Sequence, residues 1–83
     1  MNEILDIFKA LADEGRLRIL RAIDQAELSV AELVQALEMP QSSVSRHLKP
    51  MREAGLVAAR RDGTSVFYNR GPLFHDTAFS QIL

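Results

Sequence analysis

The chain contains no cysteine, so neither a disulfide framework nor a thiolate metal site is open to it. No apolar run reaches the roughly 18 residues of a membrane-spanning helix, and no basic-then-apolar leader opens the sequence; the expectation is a cytoplasmic protein with no membrane partner. A glycine-rich phosphate loop and a cysteine nucleophile are both missing. The two histidines, His47 and His75, fall in elements expected to lie apart, so no catalytic residue, cofactor or metal is expected and an enzyme confined to this chain is disfavoured. With 83 residues, 47% of them hydrophobic, one small core is possible and two are not. A domain of this size gains from burying further apolar surface against a partner.

Negative charge is scarce in one stretch. Residues 1 to 40 carry four basic groups against eight acidic ones, whereas residues 41 to 70 carry six basic groups (Arg46, Lys49, Arg52, Arg60, Arg61, Arg70) against Glu53 and Asp62 alone. The formal net charge of -1 therefore conceals a basic segment on an acidic domain, the charge footprint that nucleic-acid binding requires. A solvated basic face would show the same asymmetry.

Hydrophobic spacing divides the chain. Ile4, Leu5, Ile7, Phe8 and Leu11 predict a first helix over about residues 2 to 12. Asp13 is a candidate N-cap for a second over about 14 to 24, built on Leu17, Ile19, Leu20 and Ile23. Ser29 and Glu32 have the spacing of a capping box, followed by Val30, Leu33, Val34 and Leu37 of a short third helix ending near Glu38. Met39-Pro40-Gln41 reads as a stop and a fresh start. A fourth helix then runs from about Gln41 to Ala54, with Val44, Leu48 and Met51 on one face and Gly55 at its C-cap. Pro50 predicts a kink or an earlier end to that helix. Beyond Gly55 the runs Leu56 to Arg60 and Thr64 to Asn69 flank Arg61-Asp62-Gly63, whose Asp-Gly predicts a hairpin. Gly71-Pro72 closes it, and Leu73, Phe74, Ala78, Phe79, Ile82 and Leu83 begin a fifth, strongly apolar helix. A chain stopping on Ile82-Leu83 suggests either burial of this helix against a partner or a longer protein.

The order helix, helix, helix, helix, strand, strand, helix is mostly α with a small β-hairpin (α+β), a single winged helix-turn-helix over residues 1 to 83. With Val44, Leu48 and Met51 on the core, an advance of about 100° per residue turns Ser42, Ser45, Arg46 and Lys49 outward, with Gln41 and Arg52 at the flanks. Glutamine and arginine make paired hydrogen bonds to base edges, and serine and lysine reach bases or phosphates. The candidate DNA-binding set is Gln41, Ser42, Ser43, Ser45, Arg46, His47, Lys49 and Arg52 on this helix, with Arg60, Arg61 and Thr64 on the wing. His47 flanks the core face about 60° from Val44, a position suited to packing or a phosphate contact. Phe67 and Tyr68 fall on opposite strand faces, so one packs on the core.

The segments Leu11-Ala12-Asp13 with Arg16-Leu17-Arg18-Ile19-Leu20, Gln41-Ser42-Ser43-Val44-Ser45-Arg46-His47-Leu48, Glu53-Ala54-Gly55-Leu56-Val57, and Arg61-Asp62-Gly63 with Phe67-Tyr68 strongly resemble the ArsR/SmtB family of bacterial repressors. The resemblance covers about residues 4 to 72. It implies a homodimer joined through the first and last helices (1 to 12 and 73 to 83), binding a palindromic operator in double-stranded DNA and released by a small-molecule inducer. The family's metal-sensing cysteines correspond here to Ser29, Ala31 and Val34, which bind no soft ion. A second family metal site uses Asp and His on the last helix; His75 and Asp76 lie near its start, but they are adjacent and their partners would fall beyond Leu83. The chain is also similar to family members fused to an S-adenosylmethionine-dependent methyltransferase, or sensing a small sulfur metabolite. The alternative function is thus a protein-binding or regulatory head of a larger enzyme, whose exposed face would be apolar or acidic rather than basic.

Overall fold

The computed structural model describes residues 2–75. Four helices, α1 (Asn2–Leu11), α2 (Glu14–Gln25), α3 (Val30–Leu37) and α4 (Gln41–Glu53), pack with a three-stranded antiparallel sheet of β1 (Leu28–Ser29), β2 (Val57–Asp62) and β3 (Ser65–Arg70). A single 3-10 turn, Pro72–His75, follows. The rest of the expected fifth helix, including Ala78, Phe79 and Ile82, lies outside the described residues. The winged helix-turn-helix class holds, with one strand more than expected.

Helix boundaries follow their caps. Asp13 takes an extended conformation and accepts the Arg16 N–H at 3.2 Å, while Ser29 and Glu32 form both halves of the capping box at 3.2 and 2.9 Å. An N-cap residue has non-helical backbone angles. Ser29 therefore also serves as a strand residue, pairing with Phe67 while Leu28 pairs with Tyr68. This two-residue strand was not anticipated, because it is too short to show a period. Sheet order is β1-β3-β2, which makes β3 the central strand.

Helix α4 continues through Pro50 to Glu53, so of the two outcomes expected there, a kink or an earlier end, the earlier end does not occur. Proline in the last turn removes only its own N–H from the ladder, and its carbonyl still accepts from Ala54 at 3.0 Å. The helix closes with Gly55 at φ +81, its N–H bonded to the Arg52 carbonyl and that of Leu56 to Met51. These paired bonds define a Schellman cap, and Met51 and Leu56, both fully buried, supply its apolar contact. The hairpin is tighter than expected. Asp62 pairs with Ser65, leaving Gly63 (φ +64) and Thr64 as the two-residue loop, so the strands extend to Asp62 and from Ser65.

The core lies where α2, α3, α4 and β2 meet, around Ile19, Leu33, Val44, Leu48, Met51 and Leu56. Full burial of such side chains stabilises by about 1.5–3 kcal/mol each. Helix α1 contributes little to it. Ala10 is buried, but Ile4, Leu5 and Phe8 are 61%, 52% and 64% exposed.

Candidate nucleic-acid interface

Helices α3 and α4 are joined by Glu38, Met39 and Pro40. Glu38 takes a left-handed conformation (φ 54) that stops α3, and the Arg18 guanidinium donates to the Leu37 carbonyl at 2.7 Å, satisfying one orphan acceptor and bracing the turn from α2. Pro40 then caps α4, whose first turn has neither a side-chain cap nor an acid.

On α4, Gln41, Ser42, Ser45, Arg46, Lys49 and Arg52 are exposed, and Ser43 is half-buried. His47 is not on this face. It is only 7% exposed: its Nδ1 accepts from Arg16 Nε at 3.3 Å and its Nε2 stands 3.8 Å from Asp13 Oδ1. The same Arg16 donates to the Lys9 carbonyl at 2.9 Å, so one guanidinium ties α1, α2 and α4 together. His47 thus orients α4 from behind, and of the two roles foreseen for it the packing role matches its position. The Arg16 N–H that Asp13 accepts holds the Asp13 carboxyl below its ordinary range, with His47 adding to the effect against partial desolvation.

The wing residues divide. Arg61 and Thr64 are exposed at the hairpin end. Arg60, expected to contact DNA, is paired within the chain: it donates to both Glu27 oxygens at 2.9 and 2.7 Å and lies 5.3 Å from the centroid of Phe67. Asn69 donates to the same carboxylate at 2.8 Å. A bidentate pair with a third donor is a geometrically specific contact, and it fastens the wing to the loop ahead of β1. Glu27 and Asn69 were invisible in the sequence, because 33 and 42 residues separate them from their partners.

The Arg60 guanidinium, then the Asn69 amide, hold the Glu27 carboxyl below the ordinary carboxylate range, against the opposing effect of desolvation. A group depressed in this way stabilises the fold above its unfolded pKa and loses that contribution as pH falls through the folded value. Melting temperature should therefore decline between about pH 6 and about pH 3, and Glu27→Gln should flatten part of the decline. An identical acid limb for the variant would show that the wing anchor is not coupled to folding.

The six positive groups of residues 41–70 thus fall into two sets. Arg60 and Arg70 are paired with Glu27 and Asp24. Among the described residues, Arg46, Lys49, Arg52 and Arg61 form no ion pair, and they occupy the outer face of α4 and the wing. Residues 13–59 match the family described as "Bacterial regulatory protein, arsR family". The chain belongs to the ArsR family.

Among ArsR-family and related regulators it is 46% identical over 76 residues to the arsenic resistance transcriptional regulator ArsR1 of Pseudomonas putida, covering 87% of this chain and 59% of that protein. It is 43% identical over 65 residues to the HTH-type transcriptional regulator KmtR of Mycobacterium tuberculosis, covering 78% and 50%. The chain therefore spans about half to three-fifths of the length of these relatives. In structure it is similar to HlyU from Vibrio cholerae, with a TM-score of 0.81 and 36% identity over 98% of this chain and 88% of that one. A homodimeric winged helix-turn-helix DNA-binding domain, Mb0332 from Mycobacterium bovis, gives a TM-score of 0.85 and 31% identity over 98% and 75%. Ser29 is occupied as a helix cap in this ArsR-family chain, and among the described residues no cluster of three His, Cys, Asp or Glu side chains is placed to hold a metal ion.

Proposed function

We propose that this chain is a sequence-specific DNA-binding transcriptional regulator, acting as a cytoplasmic homodimer that represses by occupying a palindromic operator, and that it is not an enzyme. The observation that carries this reading is the unpaired set Arg46, Lys49, Arg52 and Arg61 on the outer side of α4 and the wing, beside exposed Gln41, Ser42 and Ser45. In a folded protein free cations repel one another and gain by neutralising phosphates, while side-chain amides and guanidinium groups match base edges in the major groove. The uncapped, acid-free first turn of α4 adds the positive end of a helix dipole to the same face. Two copies related by a two-fold axis would present their α4 helices to successive major grooves. The family relationship supports this, as does the homodimeric DNA-binding neighbour. A regulatory head that binds protein would not need a face bearing these free cations and a single acid, Glu53. Release of the operator by a small-molecule inducer belongs to the same proposal.

A salt-series titration of the chain against its own upstream DNA and a scrambled duplex, with the solution mass measured alongside, tests the reading. Tight, salt-steep binding of a dimer to the upstream duplex alone is expected; equal weak binding of both would overturn it. Within that assay Arg46→Ala should weaken specific binding by about 1–3 kcal/mol and relax base preference, whereas Arg61→Ala should weaken both duplexes alike. Equal losses on both duplexes for Arg46→Ala would remove Arg46 from the base-reading set.

A further inference from the structure

An open cleft runs between α4 and the sheet, lined by Ser45, Lys49, Arg52 and Glu53 on the helix, with Leu48 and Tyr68 completing the lining. Ser45, Lys49 and Arg52 are spaced at i, i+4 and i+7, a single stripe along one side of a helix. Tyr68 faces them from β3, the central strand, where it is paired with Leu28 on one side and Ala59 on the other. Its ring packs on the core while the residue stays half-exposed. Among the described residues its hydroxyl has no hydrogen-bond partner, and no buried side-chain polar atom is left unsatisfied, so the hydroxyl must open to solvent. An aromatic ring buried with a free polar tip is a pre-positioned donor.

We propose that this cleft holds one phosphodiester of the DNA backbone, with Tyr68 as a DNA-contacting residue that donates its hydroxyl to a phosphate oxygen alongside Ser45, Lys49 and Arg52. This deepens the DNA-binding reading above and rests on it. Two hydroxyl-bearing and two cationic side chains line the one cleft, which suits an anion with several acceptor oxygens. Glu53 is the one opposing charge, at the C-terminal end of the stripe, and it leaves the lining with a positive balance. Tyr68 sits on a strand paired along both edges, so it offers a more rigid contact than Arg61 or Thr64 at the hairpin end. Its role is to set the depth and register of α4 in the groove, since phosphate contacts position a protein on the duplex without reading sequence.

Tyr68→Phe tests this, because it removes the hydroxyl and keeps the ring that packs on the core. The expected result is an unchanged melting temperature and roughly tenfold weaker binding to upstream and scrambled duplexes in the same proportion. The salt dependence should keep its slope, because the lost group is uncharged. Lys49→Gln, by comparison, should lower the slope by about 0.9. A Tyr68→Phe chain that binds as tightly as the parent overturns the proposal, and so does a loss of affinity that only follows a loss of stability. A parent chain that binds neither duplex overturns the DNA-binding reading together with this one. Tyr68 is the single tyrosine and the chain has no tryptophan, so intrinsic fluorescence reports this cleft alone. Titration with inorganic phosphate to millimolar concentration should leave that signal unchanged; a saturable change at micromolar phosphate would assign the cleft to a free oxyanion and overturn the assignment to DNA.

Discussion

If the proposed homodimer forms through α1, Phe8→Glu should convert the protein to a monomer in solution and abolish tight binding to a palindromic duplex, without unfolding it. Phe8, Ile4 and Leu5 are the most exposed large apolar side chains of the described residues and share helix α1. Phe8 lies at i+4 from Ile4 and at i+3 from Leu5, so the three form one apolar strip on the helix, and water is an unfavourable neighbour for it. Because Phe8 is already 64% exposed within one chain, the substitution removes little intrachain packing, and stability of the isolated fold should change by only about 0.5 kcal/mol. In a two-fold interface the same residue appears twice, so the variant brings two carboxylates into an apolar contact with no partner for either. A penalty of several kcal/mol follows, which raises the dimer dissociation constant roughly 100-fold or more. Operator affinity should fall by about 10²–10⁴, the gain that linking two half-site contacts supplies. Sedimentation of the variant beside the parent, followed by the DNA titration, checks both parts. A variant that remains dimeric would move the interface away from α1.

Gly71→Ala should be the most destabilising single methyl that can be added among the described glycines. After β3 the chain crosses back over the junction of α4 and β2: the Gly71 N–H bonds to the Leu56 carbonyl at 2.9 Å, and Leu73 N–H to the Gly55 carbonyl at 3.0 Å. A Cβ at Gly71 would collide with the Gly55 carbonyl oxygen and stand 2.7 Å from Val57 N and 2.8 Å from Gly55 C. All three are backbone atoms held by the Schellman cap and the start of β2, so no rotamer change relieves the contact. Overpacking of this kind costs about 3 kcal/mol or more. A chain of this length has a total of roughly 4–12 kcal/mol, so the melting temperature should fall by about 10–25 °C. Gly63→Ala is the control. Its Cβ would meet nothing within 4 Å, leaving only the left-handed backbone penalty of about 1 kcal/mol. Equal melting temperatures for the two variants would contradict the close crossing at Gly71.

Local signals were legible because their partners lie within a turn. Asp13 with Arg16, Ser29 with Glu32, and Gly55 after α4 are each settled by residues three to five positions away, and the structure carries each of them as caps. The apolar triplet Val44, Leu48 and Met51 needed only helical spacing to identify the buried side of α4, and with it the outward face of Ser42, Ser45, Arg46 and Lys49. The hairpin followed from Asp62-Gly63, although the loop proved to be Gly63-Thr64, one residue later, because cross-strand pairing continues to Asp62 and Ser65.

The sequence by itself therefore determined the four helices, the wing and the polar character of α4, since hydrophobic period and capping are properties of neighbouring residues. Only the tertiary structure decided which of the candidate contacts are free. His47 turned inward because Arg16, 31 residues away, offers a donor to a ring at the edge of the core. Arg60 is paired within the chain because Glu27, 33 residues away, offers two oxygens that hold it more specifically than water does. Tyr68 gained a place opposite Lys49 because β1 and β2 fix the central strand from both edges. Charge and hydrogen-bonding capacity are written in the residue type, but whether a group is satisfied internally or left for a partner depends on what the fold brings within about 3 Å of it.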